Sequence, residues 1–479
     1  MRQPFPSLVI RANSFEAQGS FAQNQATFLN PDPKVVSDLR ALLEEKNAGV
    51  VAHFYMDAEL QGVLTACDWP HIFISDSLAM ADAAVRMAEA GAKAVFVLGV
   101  DFMSENVRAV MDHAGHADVP VYRLAVEDIG CSLAESAQGP AYRAWLNKAA
   151  KNDNALHVIY INTGLDVKAK AHVVVPTITC TSSNVLKTIL QADTQIPNLS
   201  VHYGPDTYMG QNLEVLFNTL ADQDDSVIQA LHPAHNQASV RDLASRFDVF
   251  PNGNCVVHHM FGDAVAKQVE EDYADAYVTA HLEVPGEMFA LGARAQTQGR
   301  GVVGSTSNIL NFIKAKLAEA TEREGAEVLR FVLGTESGML TAIVRAVRDL
   351  LAESGRDDLG VEIIFPVAQE AIAQTGDELG ILPGVSGGEG CSVAGGCASC
   401  PFMKMNELEG LFSLLEAMGS QDLAAYHPKA YSEQLAGRSL AQVGTEPILH
   451  MRHFQRTGEM PAELVSQVIA GSPAGSPAG

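Results

Sequence analysis

The stretch TCTSSNVLKTI, residues 179–189, runs from β-branched residues into small hydroxyls and an asparagine, and then turns helical. It returns almost intact as VVGSTSNILNFI, residues 302–313. A weaker copy, IFISDSLAMA, stands at residues 72–81. Three copies of one strand-to-helix phrase point to a repeated α/β unit. The flanking runs keep step. First strands read GVVAHFY (49–55), LHVIYINTG (156–164) and AYVTAHLEV (276–284). Third strands read VFVLGVDFM (95–103), LSVHYGPDTYM (199–209) and RFVLGTESGM (330–339), each with a glycine, then an acid, then a methionine. Fourth strands read VPVYRLA (119–125), FDVFPNG (247–253) and VEIIFPVA (361–368). Ser77, Ser182 and Ser305 stand 105 and 123 residues apart. That is too long for a solenoid repeat, whose period is about 20–50 residues. The expected fold is α/β: three similar three-layer αβα domains with parallel sheets around a pseudo-threefold axis. The boundaries read 1–35 for an N-terminal extension, 36–140, 141–262 and 263–400 for the domains, and 401–479 for C-terminal helices packing back. Residues 1–30 and the low-complexity GSPAGSPAG at 471–479 read as tails.

Composition excludes several classes. The 479 residues are 47% hydrophobic and carry a net charge of −25, which disfavours nucleic acid and anionic membrane as partners. No apolar run reaches the ~18–20 residues of a membrane span. Seven cysteines do not form a secreted disulfide framework, and the first residues lack a signal-peptide core, so a cytoplasmic protein with reduced thiols is expected.

Each repeat has a cysteine soon after its fourth strand: Cys131 in EDIGCSLAES, Cys255 in PNGNCVVHH, and the run EGCSVAGGCASCPFMKMN (389–406) ending in Cys400. Loops at the carboxyl ends of parallel strands are where such folds put ligands. Three thiolates with one open position suit zinc plus water, or a [4Fe–4S] cluster with one iron free for substrate. Alone, Cys397-x-x-Cys400 also reads as a redox pair or half a zinc site. Cys67 and Cys180 read as packed thiols.

Many phrases then resemble the quinolinate synthase family, in order over about residues 35–420. They are AHFY (52–55), DSLAMA (76–81), GVDFMSE (99–105), GCSLAES (130–136), YINT (160–163), VKA (167–169), TSSN (181–184), GPDTYMGQN (204–212), GNCVVH (253–258), HLEVPGE (281–287), GSTSNI (304–309), GTESGM (334–339) and CASCPFMKMN (397–406). The resemblance implies a [4Fe–4S] cluster on Cys131, Cys255 and Cys400 with one open iron. It implies condensation of iminoaspartate with dihydroxyacetone phosphate to quinolinate, phosphate and water, in NAD biosynthesis. Some members carry C-x2-C-x2-C whose first two cysteines pair; Cys391-x5-Cys397-x2-Cys400 departs from that pattern, so such a pair is not carried over. The stretch between GPDTYMGQN and GNCVVH is longer than in compact members and reads as a surface insertion.

Anionic substrates call for local donors. Ser77, Ser182, Ser305 and Thr306 stand where strands turn into helices, a setting for plain caps or for anion binding. His53 and Tyr55, Tyr160 and Asn162, and His281 and Glu283 end the three first strands. Glu283 is assigned as general base, with His281 and His53 sharing proton transfer and anion binding. Tyr160 and Asn162 hold substrate oxygens, and His258, three residues after Cys255, binds a carboxylate. Glu336 stands near the pocket or in a buried pair. A homodimer and an aspartate-oxidising partner are compatible with this chemistry. The competing readings are an iron–sulfur hydro-lyase acting on a hydroxy acid and a non-enzymatic zinc- or cluster-binding regulator.

Overall fold

A computed structural model describes residues 4–255, 257–366 and 400–471. The chain divides into two compact units, Met1–Asp76 with Val256–Leu423, and Ser77–Cys255 with Ala424–Gly479. The fold is α/β, and all twelve expected strands form.

In the first unit, strands Gly301–Gly304, Tyr277–His281, Glu327–Gly334 and Leu359–Ile364 lie in that order, all parallel. Side chains alternate across this sheet. Phe331 stacks on Tyr277 and packs with Ile309, Ile313 and Ile343 of helices Thr306–Thr321 and Leu340–Ser354. Ala280 and Val303 face the other way, against Gly292 of helix Gly286–Thr297. A Cβ on Gly292 would lie 2.8 Å from that of Ala280, so glycine sets the close approach of helix to sheet. Helices therefore cover both faces of a buried parallel sheet.

Residues 4–30, within the stretch expected to be a tail, are folded into the unit. Strands Ser7–Ile10 and Phe15–Gln18 extend the sheet antiparallel from Leu359–Ile364. Leu8 and Ile10 are fully buried in its core, so the short apolar run SLVI had a sheet edge to cover. Residues 472–479 of the expected C-terminal tail lie outside the described residues. The first unit also holds the parallel pair Ala48–His53 and Ile72–Ser75. Helix Leu408–Ala417 packs on Pro33–Lys46, and the Lys46 ammonium donates to Met418 O at 3.3 Å.

In the second unit, Thr177–Cys180, Ala155–Tyr160, Ser200–Gly204 and Phe247–Val249 form a parallel sheet. Its strand order, second-first-third-fourth, is that of the first unit's parallel sheet, so the sequence repeat is a topological repeat. Ala94–Leu98 and Val121–Tyr122 also pair in parallel. Helix Leu440–Thr457 crosses Leu165–His172 closely; a Cβ on Gly444 would meet Leu165 O at 2.2 Å. The stretch expected as an insertion contains helices Asp225–Leu231 and Gln237–Ser245, and the second buries Val240 and Leu243 against the unit. Among the described residues no helix is long and apolar enough to cross a membrane.

The two near-identical phrases fold alike. Asn184 Oδ1 accepts from Thr181 N at 2.8 Å, and Asn308 Oδ1 accepts from Ser305 N at 2.9 Å. Thr181, not Ser182, is therefore the structural counterpart of Ser305, one residue off the match by serine alone. Replacing Asn308 with alanine removes half of the Ser305–Asn308 capping box. It is expected to lower the unfolding free energy by about 1 kcal/mol in urea titrations, and Asn184→Ala by a similar amount.

Candidate active site

The first unit gathers its titratable groups at the carboxyl ends of its strands. His53 closes strand Ala48–His53, and its Nδ1 accepts from the backbone N–H of Tyr55 at 3.2 Å. His281 closes strand Tyr277–His281, and its Nδ1 accepts from the backbone N–H of Glu283 at 3.4 Å. The same device recurs because a residue two places past the strand end turns its N–H back on the ring. In a neutral imidazole one nitrogen accepts and the other carries the proton. These contacts favour Nε2–H as the donor, most clearly at His53, since His281 Nδ1 also stands 3.5 Å from Glu283 Oε1. Burial pulls both histidines down to about 4, against the pull of the nearby Glu283 carboxylate.

Around Glu283 the packing is close. His258 Nδ1 stands 3.2 Å from Glu283 Oε2, an ion-pair distance. Neither ring nitrogen of His258 otherwise makes a hydrogen bond, although the residue is only 1% exposed. The His258 ring stacks on His281 at 5.2 Å and 9°. Ligand atoms of His258, His281 and Glu283 all lie within 4.8 Å of one another, the one such group of three found among the described residues. This trio can move protons or hold a cation. The backbone N–H of Glu283 already occupies His281 Nδ1, which leaves Nε2 for any ligand.

Glu336 follows strand Glu327–Gly334 and is buried, with Oε2 unpartnered. Burial, and then the charge of Glu283, hold its carboxyl well above the usual range. The same two causes favour the neutral form of Glu336. Beside it, Thr335 Oγ1 lies 3.4 Å from the Tyr55 hydroxyl. Gln61 Nε2 donates to Phe54 O and, at 2.7 Å, to Gly338 O, which ties the His53–Tyr55 loop to the Glu336 loop. Ser305 is buried, and its hydroxyl is engaged by Asn308 at 2.7 Å; Thr306 begins the helix it caps.

The second unit holds the other expected residues. Ser77 is buried at the start of helix Ser77–Glu89, and Ser182 is half-buried in the turn before Val185–Gln195. Tyr160 is buried at the end of its strand and Asn162 half-buried just after it. The intervening loop is held by a residue that pattern reading had not singled out. Lys168 is fully buried and donates to the carbonyls of Ile161, at 3.1 Å, and Thr163. Burial draws its ammonium down to about 7, against the nearby Glu105. Glu105 accepts from Leu165 N at 2.8 Å and from the Tyr431 hydroxyl at 3.1 Å. The signal was present in the phrases GVDFMSE and VKA, but nothing local says that either charge is buried.

Among the five described cysteines, Cys131, Cys255 and Cys400 are half-buried, whereas Cys67 and Cys180 are buried. Cys391 and Cys397 lie outside the described residues. Ser132 Oγ donates to Asn254 O at 3.1 Å, so the loops of Cys131 and Cys255 are stitched together one residue from each thiol. Gly253 permits this: a Cβ there would lie 1.9 Å from Pro205 O. Cys400 belongs to the other unit, beside Lys404, whose ammonium is lowered by burial and raised by Asp57 and Cys400. These thiols are the donor type that iron–sulfur groups use, but the described contacts join only the loops of Cys131 and Cys255.

A family model described as Quinolinate synthetase A protein matches residues 37–356. The chain is 53% identical to a protein named quinolinate synthase, chloroplastic, of Nicotiana tabacum, covering 98% of this chain and 67% of the relative. A protein of the same name from Oryza sativa subsp. japonica is 52% identical, covering 98% and 70%.

The chain belongs to the quinolinate synthetase A family.

A quinolinate synthase of Prochlorococcus marinus is 24% identical over 82% of this chain and 87% of its own length. The chain spans about two thirds of the length of the plant relatives. The cytoplasmic placement expected from the sequence is corrected by these matches: the relatives sharing half their residues with this chain are named chloroplastic. Cysteine usage reports a reducing compartment and does not tell one such compartment from another.

The tautomer assignment is open to direct measurement. In 15N NMR, His53 and His281 are expected to show Nδ1 unprotonated and Nε2 protonated throughout pH 5.5–8. The buried histidines His53, His281 and His450, each lowered to about 4 by burial, make the fold weaker in acid. The unfolded state binds protons near 6.5 and the folded state near 4, so stability falls as pH drops through that window and levels below it. Glu336, raised by burial, acts in the opposite sense as pH rises above 4.5. Urea midpoints measured between pH 4 and 7 check the balance.

Proposed function

We propose that the chain condenses iminoaspartate with dihydroxyacetone phosphate to quinolinate, with loss of phosphate and water, serving the biosynthesis of NAD. Membership of the family supports quinolinate synthesis. The observation that carries the reading is the buried cluster around Glu283. It supplies two carboxyls, one of them pushed toward its neutral form, and two buried imidazoles whose Nδ1 atoms accept backbone N–H bonds.

Condensation and ring closure need C–H and O–H protons removed and returned. Glu283 is the base: Glu336 beside it keeps its proton, so the charge of the pair rests on Glu283. His53 and His281 donate from Nε2 to carboxylate, phosphate or carbonyl oxygens. As neutral rings they avoid desolvating two cations in a buried site. His258, whose Nε2 has no hydrogen-bond partner, is open to a substrate carboxylate. Tyr55, Ser305 and Thr306 add hydroxyls or a helix start, and Tyr160, Asn162, Ser77 and Ser182 are assigned to substrate oxygens by the family resemblance. A [4Fe–4S] cluster held by Cys131, Cys255 and Cys400 would supply, when bound, a Lewis acid at its open iron for dehydration. Iminoaspartate hydrolyses readily, so an enzyme that oxidises aspartate is the expected source.

Two measurements test this. Quinolinate formation under anaerobic conditions, with iminoaspartate generated in situ, is expected to fall roughly 10²–10⁴-fold in Glu283→Gln. It should stay within about tenfold of the parent in Glu336→Gln, because an amide replaces an already neutral carboxyl. An unchanged rate in Glu283→Gln would remove the assigned base. Separately, iron and sulfide are expected at about four each per chain. Both should be lost in Cys131→Ala, Cys255→Ala and Cys400→Ala and kept in Cys180→Ala; one zinc without iron would refute the cluster.

A further inference from the structure

The second unit contains a cavity of about 500 Å³ that uses none of the residues assigned above to the reaction. Its walls come from helix Pro140–Ala149, helix Leu165–His172 and the segment around Lys429. Three cations line it, Arg143, Lys170 and Lys429, against a single carboxylate, Asp166. Asp166 is already matched, by Lys170 at 2.9 Å. Arg143 and Lys429 have no ion-pair partner among the described residues; the Lys429 ammonium lies 5.4 Å from the centroid of the Tyr431 ring. The chain as a whole carries 57 acidic and 32 basic residues, whereas this cleft carries three cations and one carboxylate. Much of the remaining wall is apolar, with Leu146 in a buried cluster and Val174 packed against it.

Spare cations at one side and an aliphatic wall at the other define a ligand with two parts. We propose that this cavity binds a small anion carried on an apolar ring. Its volume lies within the usual range for small-molecule pockets, about 300–1,000 Å³. The anion is held by Arg143 and Lys429, for which a carboxylate and a phosphate are equivalent partners. The ring lies against Leu146 and Val174. The chemistry of the walls stands on the cavity alone. The choice of a pyridine as the ring rests on the proposed function, since pyridine carboxylates and their nucleotides belong to that route.

Trp145 provides a local reporter. It packs against the cluster that forms the apolar wall, 5.4 Å from Tyr142 between ring centroids. The chain has two tryptophans, so Trp69→Phe leaves Trp145 as the sole emitter. The Trp69→Phe protein, full chain, is titrated with quinolinate, nicotinate mononucleotide and benzoate. The expected result is a saturable change in Trp145 emission with at least one of them. Half-saturation should rise tenfold or more when Arg143→Ala and Lys429→Ala are added, the size of losing charged hydrogen bonds. Quinolinate against nicotinate mononucleotide separates a carboxylate source from a phosphate source, and benzoate shows whether the pyridine matters. No saturable change with any probe, or one unaltered by the double substitution, overturns the proposal. Quinolinate formation by the double variant is followed in parallel. It should match the parent, and its absence from both proteins would count against the proposed function while leaving the binding result to stand.

Discussion

A backbone N–H that turns back onto the histidine two residues before it is the constraint on which the candidate site depends. It fixes His53 through Tyr55 and His281 through Glu283. An imidazole with Nδ1 so occupied can only donate from Nε2, and burial keeps it neutral. Two weak interactions therefore decide the hydrogen-bond polarity of the whole cluster. The adjacent carboxyls follow the same logic. Burial and the neighbouring charge of Glu283 push the Glu336 carboxyl toward its neutral form.

Those strand ends are held from behind. Gln61 bridges the Phe54 and Gly338 carbonyls in one unit, and Lys168 grips the Ile161 and Thr163 carbonyls in the other. Neither side chain needs to touch substrate to matter. Each satisfies loop carbonyls that would otherwise be buried without donors, and so limits where the neighbouring strand-end residues can stand. A buried lysine is a costly way to do this. Its ammonium is drawn down to about 7, and the nearby Glu105 offsets part of that cost.

The repeat was legible because it is written in two periods at once. Alternating apolar residues mark the strands, and a small polar phrase marks where each second strand becomes a helix. The asparagines of TSSN and STSN make the same bond to the backbone three residues back, so similarity of letters reflects similarity of mechanism. Matching by serine alone slipped by one residue, because threonine and serine fill the capping position equally well. The first residues were misread for a related reason. A four-residue apolar run is too short to announce a strand unless a sheet edge is known to be waiting for it.

The sequence by itself determined the twelve strands of the repeat, the parallel α/β class, the family, and which histidines and acids stand at strand ends. These follow from periodicity and from local phrases, which are properties of neighbouring residues. Only the tertiary structure decided which charges are buried and what faces them: Glu336 beside Glu283, His258 with its Nε2 unpartnered, Lys168 on two carbonyls, and the Cys131 and Cys255 loops joined through Ser132 and Asn254. Burial and opposition depend on residues far apart in the chain. Charge state and hydrogen-bond direction in turn depend on burial, so they cannot be read until the chain is folded.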